Sequence, residues 1–333
     1  MSKNGKTEIA REYRLKYGMQ MPTKKLARIM YEENNLLFVD TEDARQFLRY
    51  IEGKNGNNKI KCIVKSEFYM QNDRPKNPYN LPNSDEIIYE PYILQNYKRI
   101  ALFSDIHIPY HSVSALTLAI EFCKKEKPDL LLLNGDTLDM FNLSRFDKDP
   151  SKRHFAGELD IMNKTLEVLQ TELDCQILFK LGNHEERYEH FLFSKAKELV
   201  GIEEFQIENI IKKRVKDVIV VGGKRIIHAN KLNIIHGHEF SQGFFSPVNV
   251  ARGLALRAKA SAIQGHNHQT SEHTSVDING KVMTTWSTGC LCELHPNYAP
   301  INNWNLGFAI VDLGDNGEEF EVRNKRIFNG KIL

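Results

Sequence analysis

From residue 99 onward, short apolar runs alternate with longer amphipathic segments, and this alternation constrains the fold more than any other feature. Residues 99–104, 129–134 and 176–181 are apolar enough to be buried strands. Segments with apolar residues at helical spacing lie between them, at about 112–125 and 159–169. Repeated strand–helix–strand units give parallel strands joined by right-handed crossovers. The sequence therefore predicts an α/β fold.

The later part of the chain carries the turn signals of antiparallel hairpins. Gly222-Gly223, Asn279-Gly280 and Asp315-Asn316-Gly317 each separate two strand-like runs. Parallel strands followed by hairpins favour two mixed sheets packed together, with helices on the outer faces. We therefore expect a four-layer α/β/β/α sandwich over residues 99–333.

The first 98 residues differ in character. Residues 1–70 are predicted to be a mildly basic helical module, with three helices within 5–54 and a basic Gly/Asn segment at 54–61. Such a module can bind DNA or RNA through phosphate contacts. The alternative is a solvated helical appendage that packs on the main domain or on a partner. Residues 71–98 are rich in Pro and Asn and are interpreted as a linker or arm.

Composition argues against a membrane-spanning protein, a secreted protein and a zinc site built from paired cysteines. The chain has 333 residues, of which 41% are hydrophobic, and its net charge is only +2. No apolar run approaches the roughly 18–20 residues that span a bilayer, and the polar N-terminus lacks the apolar core of a signal peptide. The five cysteines show no paired zinc spacing. These features favour a cytoplasmic protein without a membrane partner.

Polar clusters follow the predicted strands. In an open α/β sheet, ligands bind at the carboxyl ends of the strands, so we expect these clusters to converge. In chain order they contain Asp105 and His107, Asp136 and Asp139, Asn183 and His184, His236 and His238, and His266 and His268.

The donor types in these clusters predict a metal centre. Carboxylates, an amide oxygen and imidazoles, without thiolate, suit Mn²⁺, Fe or Zn²⁺ better than Ca²⁺. More than six candidate ligands are too many for one ion, so two divalent ions are expected. We favour Mn²⁺, with Fe, Zn²⁺, Ni²⁺ or Mg²⁺ as alternatives. Two ions about 3.5–4 Å apart can hold a hydroxide between them and clamp the oxygens of a phosphoryl group.

The motifs Asp-x-His, Gly-Asp-x-x-Asp, Gly-Asn-His-Glu, a lone His and Gly-His-x-His occur in this order after strands. Together they resemble the calcineurin-like metallophosphoesterase superfamily over residues 99–330. Residues 105–111, 144–146 and 289–292 are similar to phosphoesterases encoded by bacteriophages and prophages, whose N-terminal regions are also helical. The resemblance implies a bacterial or phage-infected host cytoplasm.

The resemblance also implies roles for individual residues. His184 would be catalytic, facing the substrate to stabilise the phosphoryl group or to protonate the leaving oxygen, and Asp139 would orient it as in the Ser/Thr phosphatase branch. Asp136 would bridge the two metals. The first metal would be held by Asp105, His107 and His268, and the second by Asn183, His236 and His266.

One departure from that branch concerns substrate binding. Its Gly-Asp-x-x-Asp motif continues with an arginine that grips phosphate, where this chain has Met140-Phe141. Arg145 is the nearest replacement, with a surface salt bridge as the alternative. His111 and His238 are further candidates for substrate contacts; the alternatives are a helix start for His111 and loop support for His238.

These observations predict a dinuclear metal-dependent phosphoesterase that hydrolyses a phosphate ester by a metal-bridging hydroxide. The basic module and the phage-like motifs favour a nuclease or DNA-processing phosphodiesterase. The alternative is a phosphomonoesterase acting on a phosphoprotein or a small molecule, which Gly-Asn-His-Glu and Asp139 favour. A non-catalytic metal-binding scaffold is disfavoured because every expected ligand is present.

Overall fold

The computed structural model describes residues 3–17, 21–52, 80–82, 89–145, 155–215, 217–240, 248–296 and 299–333. The chain divides into two units, Met1–Ser84 and Asp85–Leu333. The predicted basic segment at 54–61 lies outside the described residues, as do 71–79 and 83–88 of the predicted linker. Within the ranges given above, no helix is both long and apolar enough to cross a bilayer.

The smaller unit contains three helices, α1 (Lys3–Tyr17), α2 (Thr23–Glu33) and α3 (Thr41–Ile51). The side chain of Asp40 caps α3 by accepting a hydrogen bond from the Asp43 amide at 2.7 Å. Apolar residues at helical spacing form the core of the unit. The buried members contributed by α2 and α3 are Leu26, Ala27, Met30, Ala44, Leu48 and Ile51.

The larger unit alternates strands and helices along the chain. Its helices are α4 (Val113–Glu126), α5 (Phe155–Leu173), α6 (Glu186–Lys195), α7 (Ile207–Arg214) and α8 (Val250–Ala258). Its first strands are β1 (Tyr92–Ile93), β2 (Arg99–Phe103), β3 (Leu130–Asn134), β4 (Gln176–Lys180), β5 (Ile219–Val221), β6 (Ile227–Ala229) and β7 (Leu232–Ile234). The later strands are β8 (Ala262–Gln264), β9 (Ser271–Val276), β10 (Val282–Ser287), β11 (Leu306–Leu313), β12 (Phe320–Phe328) and β13 (Lys331–Ile332). Single 3₁₀ turns occur at Phe141–Leu143, Lys197–Leu199 and Glu203–Phe205.

These strands form two mixed sheets. The seven-stranded sheet has the order β13-β12-β11-β2-β3-β4-β5, and the six-stranded sheet has the order β1-β6-β7-β8-β10-β9. Strands β2 to β5 are parallel. The hairpins predicted at Asn279-Gly280 and Asp315-Asn316-Gly317 are confirmed as β9–β10 and β11–β12. The hairpin predicted at Gly222-Gly223 is wrong, because β5 and β6 belong to different sheets and these glycines lie in the connection between them.

Side-chain alternation along β2 shows how the layers pack. Ile100 and Leu102 enter the core between the two sheets, whereas Ala101 and Phe103 face the helices α4 to α7. This follows from the period of two along a strand. On the outer face of the six-stranded sheet, Leu254 of α8 packs in a third cluster. The predicted α/β/β/α sandwich is therefore confirmed.

Strand β1 lies within the range 71–98 and pairs in parallel with β6. The Tyr92 amide donates to the Ile226 carbonyl at 2.8 Å, and the Leu94 amide donates to the His228 carbonyl at 2.9 Å. This part of the chain therefore forms the edge of the six-stranded sheet.

Candidate metal centre

Five loops bring the predicted site residues together. They follow β2, β3, β4, β7 and β8, at the carboxyl ends of the strands. The loops after β3 and β4 approach so closely that only glycine fits at position 182. A Cβ there would lie 2.3 Å from Asp136 Oδ1 and 2.4 Å from the Asp136 amide nitrogen.

Several predicted ligands have left-handed backbone conformations. Non-glycine residues adopt such angles rarely, at a cost of about 1–3 kcal/mol each, and they cluster at functional sites. Long-range hydrogen bonds hold the loops in place: the His107 amide donates to the Asp136 carbonyl at 2.9 Å, and the His266 amide donates to Asp105 Oδ2 at 2.9 Å. The φ angles are 56° at Asp105, 51° at His107, 51° at Asp136, 66° at His266 and 56° at His268.

The first group of ligands surrounds His268. Its Nε2 lies 3.2 Å from Asp105 Oδ1 and 3.2 Å from His107 Nε2. The same His107 nitrogen is 3.9 Å from Asp136 Oδ2. Three of these side chains are almost completely buried, because Asp105, His107 and His268 are 0%, 3% and 5% exposed. They match the first predicted metal shell.

The second group surrounds His236. Its Nε2 lies 3.2 Å from Asn183 Oδ1 and 3.2 Å from Asp136 Oδ2. Ligand atoms of Asp136, His236 and His266 all lie within 4.8 Å of one another. Asp136 Oδ2 thus lies between the two groups. The structure therefore brings together all seven predicted ligands.

The hydrogen bonds of His236 and His107 orient both rings for metal binding. His236 Nδ1 lies 2.8 Å from the Asn134 carbonyl oxygen, and His107 Nδ1 lies 3.0 Å from Asp139 Oδ1. When both rings are neutral, Nδ1–H donation to these oxygens directs their Nε2 lone pairs into the cluster, which is the usual support for metal-ligating histidine. Ligands about 2.1 Å from one ion lie about 3 Å apart, close to the spacing seen here. The nitrogen and oxygen donors suit Mn²⁺, Fe or Zn²⁺.

Cys292 is an unpredicted neighbour of the first group. Its sulfur lies within 4.8 Å of ligand atoms of His107 and His268. A hydrogen bond with Cys290 and burial both raise the pKa of the Cys292 thiol.

The electrostatics of the centre reflect charges held close together in a dry interior. Burial favours the neutral acid, but His268 outweighs it and lowers the pKa of Asp105 to about 2. His184 and His236 likewise lower the pKa of Asp136 against burial. Burial opposes protonation of His236, yet Asp136 raises its pKa to about 10. At His266, burial and then His236 lower the pKa to about 4.

The two predicted catalytic residues adjoin this centre. The His184 amide donates to Asp136 Oδ1 at 2.9 Å, and His184 Nε2 is 3.8 Å from Asp136 Oδ2. His184 Nδ1 lies 2.8 Å from the Asp139 carbonyl oxygen and 3.3 Å from Asp139 Oδ1. Asp139 therefore contacts both His184 and His107. Although burial opposes ionisation, hydrogen bonds from these two histidines lower the pKa of Asp139.

The three predicted substrate contacts have different surroundings. His238 Nε2 lies 3.1 Å from Glu186 Oε1, and the His238 ring is 5.4 Å from the His236 ring. His111 forms an isolated backbone bridge with Cys292 and lines a cavity of about 360 Å³ between α4 and α5. Arg145 is exposed and immediately precedes residues that lie outside the described ranges.

Arg187 is a site residue that sequence reasoning missed. Its Nη1 donates to the Asp139 carbonyl at 2.8 Å, and its Nη2 lies 2.8 Å from His184 Nε2. The available signal was its spacing, because residues three apart are neighbours on a helical turn. The Asn183–Glu186 backbone begins that turn, with the Arg187 amide donating to the His184 carbonyl at 3.1 Å.

Two glutamates, the buried Glu185 and the largely buried Glu239, hold the loops from behind. Glu185 is 0% exposed and accepts from the Asp136, Leu138 and Gly182 amides at 3.1, 2.8 and 2.7 Å. Glu239 accepts from the His236 and Gly237 amides at 2.9 and 2.7 Å. The buried Lys180 ammonium lies 2.8 Å from Glu239 Oε1. Against burial, this ammonium lowers the pKa of Glu239 to about 2.

The architecture and this centre agree with the comparison to known protein families. A family model described as calcineurin-like phosphoesterase matches residues 98–288. The chain belongs to the calcineurin-like phosphoesterase family. It is therefore a metal-dependent phosphoesterase, as predicted. The family implies a centre for two divalent ions, and the groups around Asp136 are its candidate ligands.

Individual relatives include a phage protein. The Gene 54 protein of Mycobacterium phage L5 is 27% identical over 227 residues, which cover 64% of this chain and 88% of that protein; this agrees with the phage-type resemblance. Among solved structures, Vps29 from Cryptosporidium parvum has 13% identity, covers 72% of this chain and 96% of its own, and has a TM-score of 0.40. The Escherichia coli phosphoesterase Yfce has 13% identity, covers 64% and 88%, and has a TM-score of 0.33.

Proposed function

We propose that this phosphoesterase hydrolyses phosphodiester bonds of nucleic acid and uses two Mn²⁺ ions. The observation that carries the proposal is a cluster of exposed cations on α2, Lys24, Lys25 and Arg28. None of them forms an ion pair with a residue that the structure describes.

The position of this cluster suggests an anionic partner. Lys24 and Lys25 lie in the first turn of α2, where the helix dipole disfavours positive charge by about 0.3–1 kcal/mol per residue. A phosphate backbone would offset this cost, because both the side chains and the amide groups of a helix N-terminus attract phosphate. The arrangement therefore supports a role for α2 in holding nucleic acid.

The metal centre supplies the chemistry in this proposal. When bound, two divalent ions polarise phosphoryl oxygens and activate water at neutral pH. The protein contributes Asp136 between the two ligand groups and His184 beside them. We assign His184 as the donor of a proton to the leaving oxygen, with Asp139 fixing its ring through Nδ1.

The test uses the full chain loaded with Mn²⁺ and a panel of single-stranded DNA, duplex DNA, RNA and phosphopeptide. Replacing Lys24, Lys25 and Arg28 with Gln should raise KM for the nucleic acid that is cleaved by about tenfold and flatten its salt dependence. Turnover of bis-p-nitrophenyl phosphate should not change, since this small diester lacks the extended phosphate backbone that the α2 cations would bind.

A matched control removes the same charges elsewhere. Lys212, Lys213 and Arg214 are exposed at the end of α7, and their replacement with Gln should leave KM unchanged.

His184→Ala should lower kcat on every substrate by about 10²–10⁴-fold. Less than one equivalent of bound Mn²⁺ would contradict the metal assignment. An enzyme that hydrolyses the phosphopeptide but cleaves none of the nucleic acids would contradict the proposed substrate.

The second candidate function is a phosphomonoesterase acting on phosphoprotein or a small molecule. The contact between Asp139 Oδ1 and His184 Nδ1, at 3.3 Å, favours it because this pairing is the one that the resemblance to Ser/Thr phosphatases implied. Preferential hydrolysis of the phosphopeptide in the panel is the result expected from this candidate.

A further inference from the structure

Arg187 is held against the residue that faces the substrate. It lies in the first turn of α6 and is half-buried. One end of its guanidinium is fixed because Nη1 donates to the Asp139 carbonyl at 2.8 Å. The same carbonyl oxygen lies 2.8 Å from His184 Nδ1. One backbone group therefore positions both side chains.

The other end of the guanidinium points toward the metal centre. Nη2 lies 2.8 Å from His184 Nε2, and that nitrogen is 3.8 Å from Asp136 Oδ2. With His184 Nδ1–H donating to the Asp139 carbonyl, Nε2 carries a lone pair and accepts from Arg187. The arginine thus contacts the same nitrogen of His184 that faces Asp136.

The chemistry of this position favours an anion. A guanidinium is a planar cation, and this one lies against His184, so it offers positive charge to an incoming phosphoryl group. A guanidinium has five N–H donors in a planar fork, and its contacts with Asp139 and His184 use two of them. The remaining donors match the spacing of phosphoryl oxygens, which arginine binds as a bidentate partner.

We propose that Arg187 is the residue that grips the phosphoryl group of the substrate. A non-bridging phosphoryl oxygen replaces His184 Nε2 as the acceptor for Nη2–H, while Nη1 keeps its bond to Asp139. His184 Nε2, released from that bond, takes up a proton from solvent and donates it to the leaving oxygen. The inference rests on the proposed role of His184 in the phosphoesterase reaction, but it does not depend on whether the substrate is nucleic acid.

The first test is steady-state kinetics on bis-p-nitrophenyl phosphate with Mn²⁺-loaded enzyme. Arg187→Met should raise KM, and the inhibition constant of inorganic phosphate, by about tenfold or more, because a charge-assisted bond to the phosphoryl group is lost. Arg187→Lys should recover part of the affinity, since it restores the charge without the fork. Lys195→Met removes an exposed charge from the last turn of the same helix and should change neither constant.

The second test measures binding without turnover. Inorganic phosphate should raise the Tm of the Mn²⁺-loaded wild type and of Lys195→Met, but not that of Arg187→Met. A fall in kcat with an unchanged inhibition constant and an unchanged Tm response would overturn the proposal, because Arg187 would then only position His184.

The two tests separate this inference from the proposed function. If the wild type cleaves no nucleic acid of the panel while Arg187→Met still abolishes the phosphate-induced Tm shift, the proposed function fails and the role of Arg187 stands. If the wild type is active and Arg187→Met matches it in KM and in phosphate inhibition, the role of Arg187 fails and the function stands.

Discussion

Glu158 illustrates what burial does to a carboxyl group directly behind the Asp139 loop. It lies on α5, is 4% exposed, and its Oε1 accepts from the Met140 amide at 2.6 Å. Burial raises the pKa of Glu158 to about 8, and the charge of Asp139 acts in the same direction. At neutral pH this side chain is therefore a neutral acid that still holds the loop by its hydrogen bond.

We expect this group to make stability depend on pH. Glu158 keeps its proton up to about pH 8 in the folded protein, but only to about pH 4.5 when unfolded. The stabilising contribution of Glu158 to the free energy of unfolding is complete below pH 4.5. It is lost as pH rises to 8, by up to about 1.4 kcal/mol per pH unit. In urea unfolding at pH 5, 6.5 and 8, Glu158→Gln should remove this slope.

A control on the same helix makes the comparison specific. Glu167 is exposed on α5, and Glu167→Gln should keep the wild-type pH slope. Parallel stability curves for Glu158→Gln and the wild type would show that Glu158 is ionised in the folded state, contrary to expectation.

At the scale of elements, the metal centre depends on loops that are held by buried carboxylates. Glu185 connects the loop after β4 to the loop after β3 through backbone amides. Lys180, at the end of β4, pairs with Glu239, which follows β7 in the other sheet. These contacts fix the distance between the two sheets at the edge where the ligands lie.

Glu185→Ala should strongly destabilise this edge. It leaves three buried amide donors without their acceptor, and each costs about 1–3 kcal/mol, so we expect a loss of at least roughly 3 kcal/mol in unfolding free energy. Mn²⁺ affinity should weaken as well, because Asp136 loses its support. Glu189→Ala, at an exposed position of α6, is the control; equal stability of the two variants would refute the role of Glu185.

The strand-and-loop pattern could be predicted from sequence, but the contacts between loops could not. Apolar runs and the polar residues after them indicated where Asp105 and Asp136 would lie, because strand ends meet at one edge of a sheet. Glu185 gave no such signal, since it bonds to backbone amides whose positions depend on tertiary structure. The Gly222-Gly223 prediction failed for a related reason: local turn residues do not specify which sheet the next strand joins.

At the scale of the whole molecule, all the candidate metal ligands belong to the unit Asp85–Leu333. Metal binding is therefore coupled to the folding of that unit. Close-packed carboxylates such as Asp105 and Asp136 repel each other, and a cation between them would remove the repulsion. The smaller unit, Met1–Ser84, supplies none of these ligands.

Calorimetry of the full chain should resolve this coupling. Mn²⁺ at 100 times its Kd should add about 2.7 kcal/mol to the stability of the larger unit, which corresponds to a rise in Tm of roughly 5–10 °C. EDTA should reverse the shift, and Asp136→Asn should lack most of it. If Mn²⁺ raises the Tm of Asp136→Asn as much as that of the wild type, the ion binds at a different site.

Strand β1 has a consequence for anyone who shortens this protein. A chain cut to begin at Arg99 keeps the whole family match except its first residue, yet it loses Tyr92 and Leu94, whose amides cover the Ile226 and His228 carbonyls. The bared side of β6 becomes an open template for strands of other molecules. Insolubility of such a fragment would then result from the missing edge strand and not from a defective catalytic domain. A chain that begins before Tyr92 keeps this strand.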